Sequence, residues 1–283
     1  MIKIISDSTS DLSQELLTRY DIEIIPLHII LGEESYRDGM DITPDRIYAW
    51  AQENKTVPKT AACAQEQVKK MLQKHLQEGH EVICFTISSS MSSTYNVMVN
   101  AVKELGAEDK VTVWDSESLS TGVGLQVVYA AEMIKSGKTR QEIEKELKEI
   151  RGRVSASFVV DTLVYLHRGG RCSGVSAMLG TTLKLHPQIN VVEGKMQPGK
   201  KYRGKMHKVV ADYAEDQLEE MKKARKRIVF VTHSGCDQKV IDAAVDAVRS
   251  LNHFSEIHVT RAGGVISSHC GPGTLGVLYV RGE

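Results

Sequence analysis

Nowhere in this 283-residue chain is there an apolar run of eighteen residues, and Met1 to Asp7 contain neither a basic n-region nor an apolar h-region. No spanning helix and no secretory leader are therefore expected. A disulfide framework is also missing. The five cysteines, Cys63, Cys84, Cys172, Cys236 and Cys270, are odd in number, widely spaced and never form C-x-x-C, which points to a reducing compartment and a cytoplasmic protein. Net charge is absent too, with 36 Lys+Arg against 36 Asp+Glu. No long-range field then draws the chain to nucleic acid or anionic lipid, and any membrane contact would be transient. Walker A, G-x-S-x-G and H-E-x-x-H are all lacking, and no close His/Cys/Asp pairing stands out, so neither ATP, nor a metal, nor any other cofactor is expected. Gly271-Pro272-Gly273-Thr274-Leu275-Gly276 formally satisfies G-x-G-x-x-G. The few residues after it leave no room for the helix that a dinucleotide site needs, so its glycines are expected to bend the backbone or let it pass close to a ligand.

What is present is an ordinary globular balance, 41% hydrophobic and 25% charged, enough to bury a sizeable core in one large or two ordinary domains. Short β-rich runs alternate with amphipathic stretches from the first residue, the pattern of parallel βαβ units. Strands are predicted at Ile2–Ile5, Ile22–Ile30, Val82–Ile87 and Val111–Trp114. Helices are predicted near Leu12–Tyr20, after Thr43-Pro44, over Glu66–Gln77 and from about Thr94. Thr139-Arg140-Gln141-Glu142 is a capping box that opens a charged helix ending near Arg153, and the domain boundary is placed there, giving 1–153 and 154–283. The second half predicts strands at Ser157–Val160, Ile189–Val192, Ile228–Thr232, Ile257–Thr260 and Gly276–Val280. Its helices are expected near Val175–Leu183, Val209–Arg225 and Gln238–Leu251.

Polar loops fall at the carboxyl ends of several predicted strands, where open α/β sheets place their ligands. Ser6 to Ser10, Lys59-Thr60, Ser88 to Thr94 and Gly263 to Gly276 are the main clusters. So many hydroxyls suit an anionic head group, because each donates a hydrogen bond without bringing a charge that must be desolvated. His269 lies inside the glycine-rich segment, and His233 has a similar position at a strand end. Arg168 and Arg171 bracket Gly169-Gly170, where a guanidinium can approach an anion unobstructed. A rival reading makes Ser92 a nucleophile and His269 its base in a stand-alone serine hydrolase or acyltransferase, although no elbow spacing supports it.

Together, Ser6-Asp7-Ser8-Thr9-Ser10-Asp11-Leu12, Ser88 through Tyr95, Asp115-Ser116, Gly169-Gly170-Arg171 and Gly264 through Gly276 resemble the ordered motif set of the DegV family across essentially the whole chain. The resemblance implies an α/β protein with an N-terminal three-layer α/β/α domain built on a parallel sheet and a C-terminal α/β domain with a mixed sheet. It also implies one long-chain fatty acid, such as palmitate or oleate, held between the domains. The family's characterised members resemble the fatty-acid-binding subunits of bacterial fatty acid kinase, so the chain would be a carrier with no catalytic residue of its own, working with a separate ATP-binding kinase subunit in phospholipid synthesis. The family's S-S-x-L-S-G-T-Y matches Ser88 to Tyr95, with Ser93 replacing the glycine. Its T-S-x-P-S matches Thr60-Ala61-Ala62-Cys63-Ala64, where only the threonine hydroxyl survives. Thr60 and Ser92 are thus the implied carboxylate ligands, Arg171 and His269 complete the polar end, and Ser8, Ser93, Gly169 and Gly170 are further candidates.

Overall fold

A computed structural model describes residues 1–172, 174 and 185–282. The helix expected near Val175–Leu183 lies outside the described residues.

In chain order the first half comprises β1 (Ile2–Asp7), a 3-10 turn at Ser8–Ser10, α1 (Gln14–Tyr20), β2 (Ile22–Ile25), β3 (His28–Leu31), β4 (Glu34–Arg37), α2 (Pro44–Asn54), β5 (Lys59–Ala61), α3 (Gln65–Gln77), β6 (Glu81–Thr86), α4 (Thr94–Glu104), β7 (Val111–Asp115), α5 (Thr121–Lys135) and α6 (Arg140–Arg153). The second half continues with β8 (Val154–Val159), α7 (Val164–Gly169), β9 (Leu185–Val192), β10 (Lys195–Arg203), α8 (Met206–Asp216), α9 (Leu218–Met221), β11 (Ile228–His233), α10 (Gln238–Ser250), β12 (Glu256–Arg261), α11 (Gly264–Cys270) and β13 (Leu275–Val280). A four-stranded parallel sheet, β2-β1-β6-β7, forms the first half, and a six-stranded mixed sheet, β10-β9-β8-β13-β11-β12, forms the second. The fold is thus two-domain α/β, as the sequence predicts. No helix among the described residues is long and apolar enough to cross a membrane.

Consecutive residues Ile4 and Ile5 are both buried, because helices cover both faces of a parallel sheet. The predicted strand Ile22–Ile30 is two strands. Pro26 has no N–H for a ladder, so β2 ends at Ile25 beside β1 and β3 turns into a separate antiparallel sheet, β4-β3-β5. The predicted helix Val209–Arg225 is also broken. Gln217 N–H bonds to Ala214 O, an i to i−3 contact that tightens and ends α8. Strand β10 was not expected from the sequence. It pairs with β9 across Glu193-Gly194, both at positive φ (48° and 74°), the backbone of a type I′ hairpin.

Helix α5 carries both sheets. Its residues from Thr121 to Val128 are all buried, and its Val123, Leu125, Val127 and Val128 share one core with Ile4 and Phe85 of the first sheet and with Phe230 and Leu278 of the second. A helix apolar on every side belongs in an interior. The carboxyl ends of β1, β6 and β7 thereby face the second half of the chain. The hairpin tip reaches back as well, with Ser88 Oγ donating to Gly194 O at 2.7 Å.

Candidate functional site

Between the two halves lies a cavity of about 490 Å³, within the roughly 300–1,000 Å³ usual for small-molecule sites. Its apolar wall combines Leu27, Ile87, Met91 and Leu119 from the first half with Phe158, Leu166, Met196, Ile266 and Leu278 from the second. Most of these form one apolar cluster separate from the sheet cores. The polar lining is largely hydroxyl: Thr60, Ser89, Ser90, Ser92, Ser93, Ser120, Thr232, Ser234 and Thr274.

These hydroxyls fall into three groups. The buried ones are already committed to the protein. Ser120 donates to Asp11 Oδ2 at 2.5 Å, Ser234 to Gly271 O at 2.6 Å and Thr274 to Cys270 O at 2.9 Å, while Thr232 is chained to Thr121 and Thr260. Thr60 and Ser92 are only partly buried. Thr60 Oγ1 lies 2.8 Å from His269 Nε2, and Ser92 Oγ lies 2.9 Å from Thr94 Oγ1 while accepting Thr94 N–H at 3.2 Å. A hydroxyl rotates its proton freely, so both can aim a donor into the cavity once the neighbour supplies the other bond. Ser89, Ser90 and Ser93 are exposed along the rim.

His269 ends α11, and burial, reinforced by the Arg171 guanidinium, pulls it down to about 4. At neutral pH the ring is uncharged. Its Nδ1 is buried without a hydrogen-bond partner among the described residues. A Cβ at Gly169 would meet that nitrogen at 2.6 Å, so only glycine leaves the ring in place. Gly170, at φ 69°, caps α7 and turns the chain so that Arg171, exposed at the rim, donates to Gly169 O at 2.7 Å. His233 also lines the cavity. Its Nδ1 accepts the Gly235 and Cys236 N–H groups, which puts the ring proton on Nε2.

Two buried aspartate side chains hold α11 in position. Asp11 accepts Gly263 N–H at 2.8 Å, and Asp38 accepts Gly264 N–H at 2.7 Å and Val265 N–H at 3.3 Å, satisfying donors that a helix start leaves open. Burial pushes Asp11 up to about 8 and raises Asp38, against the opposing pull of these hydrogen bonds. The sequence offered Asp11 only as part of the motif Ser6 to Leu12, with no role, and Asp38 gave no signal at all. Of the other implied residues, Ser8 points elsewhere: its Oγ donates to Asp38 Oδ2 at 2.8 Å and accepts Leu27 N–H at 3.2 Å, and it is not part of the cavity lining.

No serine–histidine pair forms at Ser92, since His269 Nε2 is engaged by Thr60 and Ser92 Oγ by Thr94. Nor, among the described residues, does a carboxylate orient His269 Nδ1, as a nucleophile-activating base requires. The glycines of the final motif act on the backbone. Gly271 and Gly273 turn at φ 75° and 76°, and Gly276 lines the cavity on β13, where a Cβ would meet Ser157 O at 2.7 Å.

The family described as "Uncharacterised protein, DegV family" matches residues 1–282. A DegV domain-containing protein of Deinococcus radiodurans is 31% identical over 277 residues, covering 98% of this chain and 97% of its own length. A DegV family protein from Thermus thermophilus, described as binding fatty acid, superposes with a TM-score of 0.90 at 32% identity, covering 99% of each chain. A stearic acid-binding protein from Eubacterium ventriosum superposes with a TM-score of 0.87 at 28% identity, over 99% of this chain and 98% of its own. The chain belongs to the DegV family.

Proposed function

We propose that this DegV-family chain holds one long-chain fatty acid, such as palmitate or oleate, between halves 1–153 and 154–283, and presents its carboxylate to a separate ATP-dependent fatty acid kinase. The observation that carries the reading is the division of the cavity lining. The wall is apolar, the buried hydroxyls are spent on the protein, and Thr60, beside His269, and Ser92, beside Thr94, keep donors for a ligand. Similarity to proteins described as binding fatty acid supports it.

A sixteen-carbon tail carries about fourteen methylenes, and at ~0.8 kcal/mol each its burial contributes roughly 11 kcal/mol before association costs. The carboxylate needs partners or much of that gain is lost. A carboxylate only accepts, so Thr60 must donate to it. The lone pair of Thr60 is then free to accept from His269, which fixes the neutral ring with its proton on Nε2. Ser92 donates in the same way when Thr94 donates to it.

In the kinase step a carboxylate oxygen attacks the γ-phosphorus of ATP. A new O–P bond forms, the bond to the β–γ bridging oxygen breaks, and ADP leaves. The added charge requires a cation, a role that this reading assigns to Arg171, exposed at the rim. The test is acyl-phosphate formation from palmitate-loaded protein, a cognate kinase and ATP. For His269→Ala and Arg171→Ala we expect fatty acid affinity to fall less than tenfold and the rate to fall a hundredfold or more, about 1.4 and 2.7 kcal/mol respectively. No acyl phosphate from the parent protein would reject the kinase step, and equal losses of affinity and rate would reject the assigned roles.

A further inference from the structure

We propose that His75, Glu78 and His80 form a binding site for a divalent transition-metal ion of the zinc type, at the end of the N-terminal sheet opposite the cavity. The spacing H-x-x-E-x-H matches no metal pattern sought in the sequence, and the turn after α3 is what assembles it. His80 N–H bonds to His75 O at 3.0 Å and Gly79 N–H to Leu76 O at 3.1 Å, with Gly79 at φ 76°. This paired 6→1 and 5→2 closure folds the chain back over the last helical turn. It sets the two imidazoles 6.0 Å apart, centre to centre.

One ligand atom from each of the three residues lies within 4.8 Å of the others. His80 Nδ1 is 3.3 Å and His75 Nδ1 4.0 Å from Glu78 Oε2. Ligand bonds of about 2.0–2.1 Å at the tetrahedral angle place neighbouring donors roughly 3.4 Å apart. The first spacing already fits. The second closes by a small rotation of Glu78, whose side chain is half exposed.

A second observation is independent of this spacing. His75 is 2% exposed, and neither of its ring nitrogens, nor His80 Nδ1, makes a hydrogen bond among the described residues. Buried polar groups are nearly always satisfied, so unsatisfied ones call for an unseen partner. His75 Nε2 sits 2.9 Å from Glu23 Oε1, off the direction of an N–H···O bond. An ion on Nδ1 would turn the ring to align that contact, giving the carboxylate–histidine–metal arrangement that orients ligating imidazoles. Two imidazoles and one carboxylate, with water in the fourth position, select zinc, cobalt, nickel or copper over magnesium and calcium. The ion would pin the α3–β6 turn to β2.

The test uses tag-free, full-length protein stripped with chelator and titrated with Zn²⁺ at pH 7.5, with bound ions counted by native mass spectrometry. His80→Ala and Glu78→Gln serve as variants because both positions retain solvent exposure, and thermal unfolding without metal checks their folding. We expect one Zn²⁺ per parent chain, at least tenfold weaker binding in each folded variant, a zinc-induced rise in Tm for the parent alone and no competition from excess Mg²⁺. Absence of a bound ion, variants that bind Zn²⁺ as tightly as the parent, or displacement by Mg²⁺ would overturn the site.

Discussion

At Ala64 the chain lacks a hydroxyl that the related motif carries, and the structure shows what that hydroxyl would do. Ala64 is the N-cap of α3, with extended backbone (φ −74°, ψ 129°) and no side-chain cap, so a serine there would bond an open helix N–H. Ala64→Ser should stabilise the fold by about 1 kcal/mol and leave palmitate affinity unchanged, measured by denaturant unfolding and lipid titration. A change in affinity would show that the position acts on the ligand. Gly169 works differently. Because a Cβ there would meet His269 Nδ1 at 2.6 Å, Gly169→Ala should reproduce the kinetic loss of His269→Ala in acyl-phosphate formation; a normal rate would mean that the ring has no positional demand. Thr60 and Ser92 were legible only through the resemblance to the family motifs, which single them out from the hydroxyl clusters at predicted strand ends, while Arg171 and His269 also stood out by their glycine neighbours. Leu27, Phe158, Met196 and Leu278 did not, since an apolar residue facing a cavity has the same alternation as one facing a core.

Among the elements, α11 is one whose placement the sequence concealed. Its seven residues, GVISSHC, carry no amphipathic period long enough to read, and its first N–H groups are received by Asp11 and Asp38, which lie far away in sequence. A Cβ at Gly264 would collide with Ile29 Cδ1 and come within 2.8 Å of Asp38 Oδ1 and Ile47 Cδ1. Gly264→Ala should therefore cost about 1–3 kcal/mol of stability and weaken fatty acid binding, because α11 supplies Val265, Ile266, His269 and Cys270 to the cavity wall. Unaltered unfolding would contradict the close packing. The same clamp predicts a pH dependence. Asp11 is raised to about 8 and Asp7 to about 6, burial being the main cause and the neighbouring Asp38 adding to it. Between the unfolded value of 3.8 and about 8 the folded state keeps a proton that the unfolded chain has released, so this stabilisation is complete at low pH and disappears as pH rises through about 8. Tm should fall between pH 6 and pH 9, and Asp11→Asn should flatten that fall. An equal slope in the variant would remove Asp11 as its source.

On the scale of the whole molecule, the α/β class and the two sheets were legible because strand and helix periods alternate along the entire chain. The meeting of the two sheets on α5 was not, since a helix whose first eight residues are all buried carries no mark of what lies on each side. Pro26 and the Glu193-Gly194 turn were visible as residues, but their effect, a second small sheet and a hairpin reaching Ser88, depends on partners distant in sequence. The cavity is a product of that assembly, with walls and available hydroxyls brought together from segments distant in sequence. Its occupant is accordingly the most direct test of the account. Purified protein should be extracted with organic solvent and the extract analysed by mass spectrometry, alongside uptake of added palmitate and oleate by stripped protein. The account predicts one long-chain fatty acid per chain, with uptake weakened by Thr60→Ala combined with Ser92→Ala. Absence of fatty acid from the extract together with no uptake would contradict it.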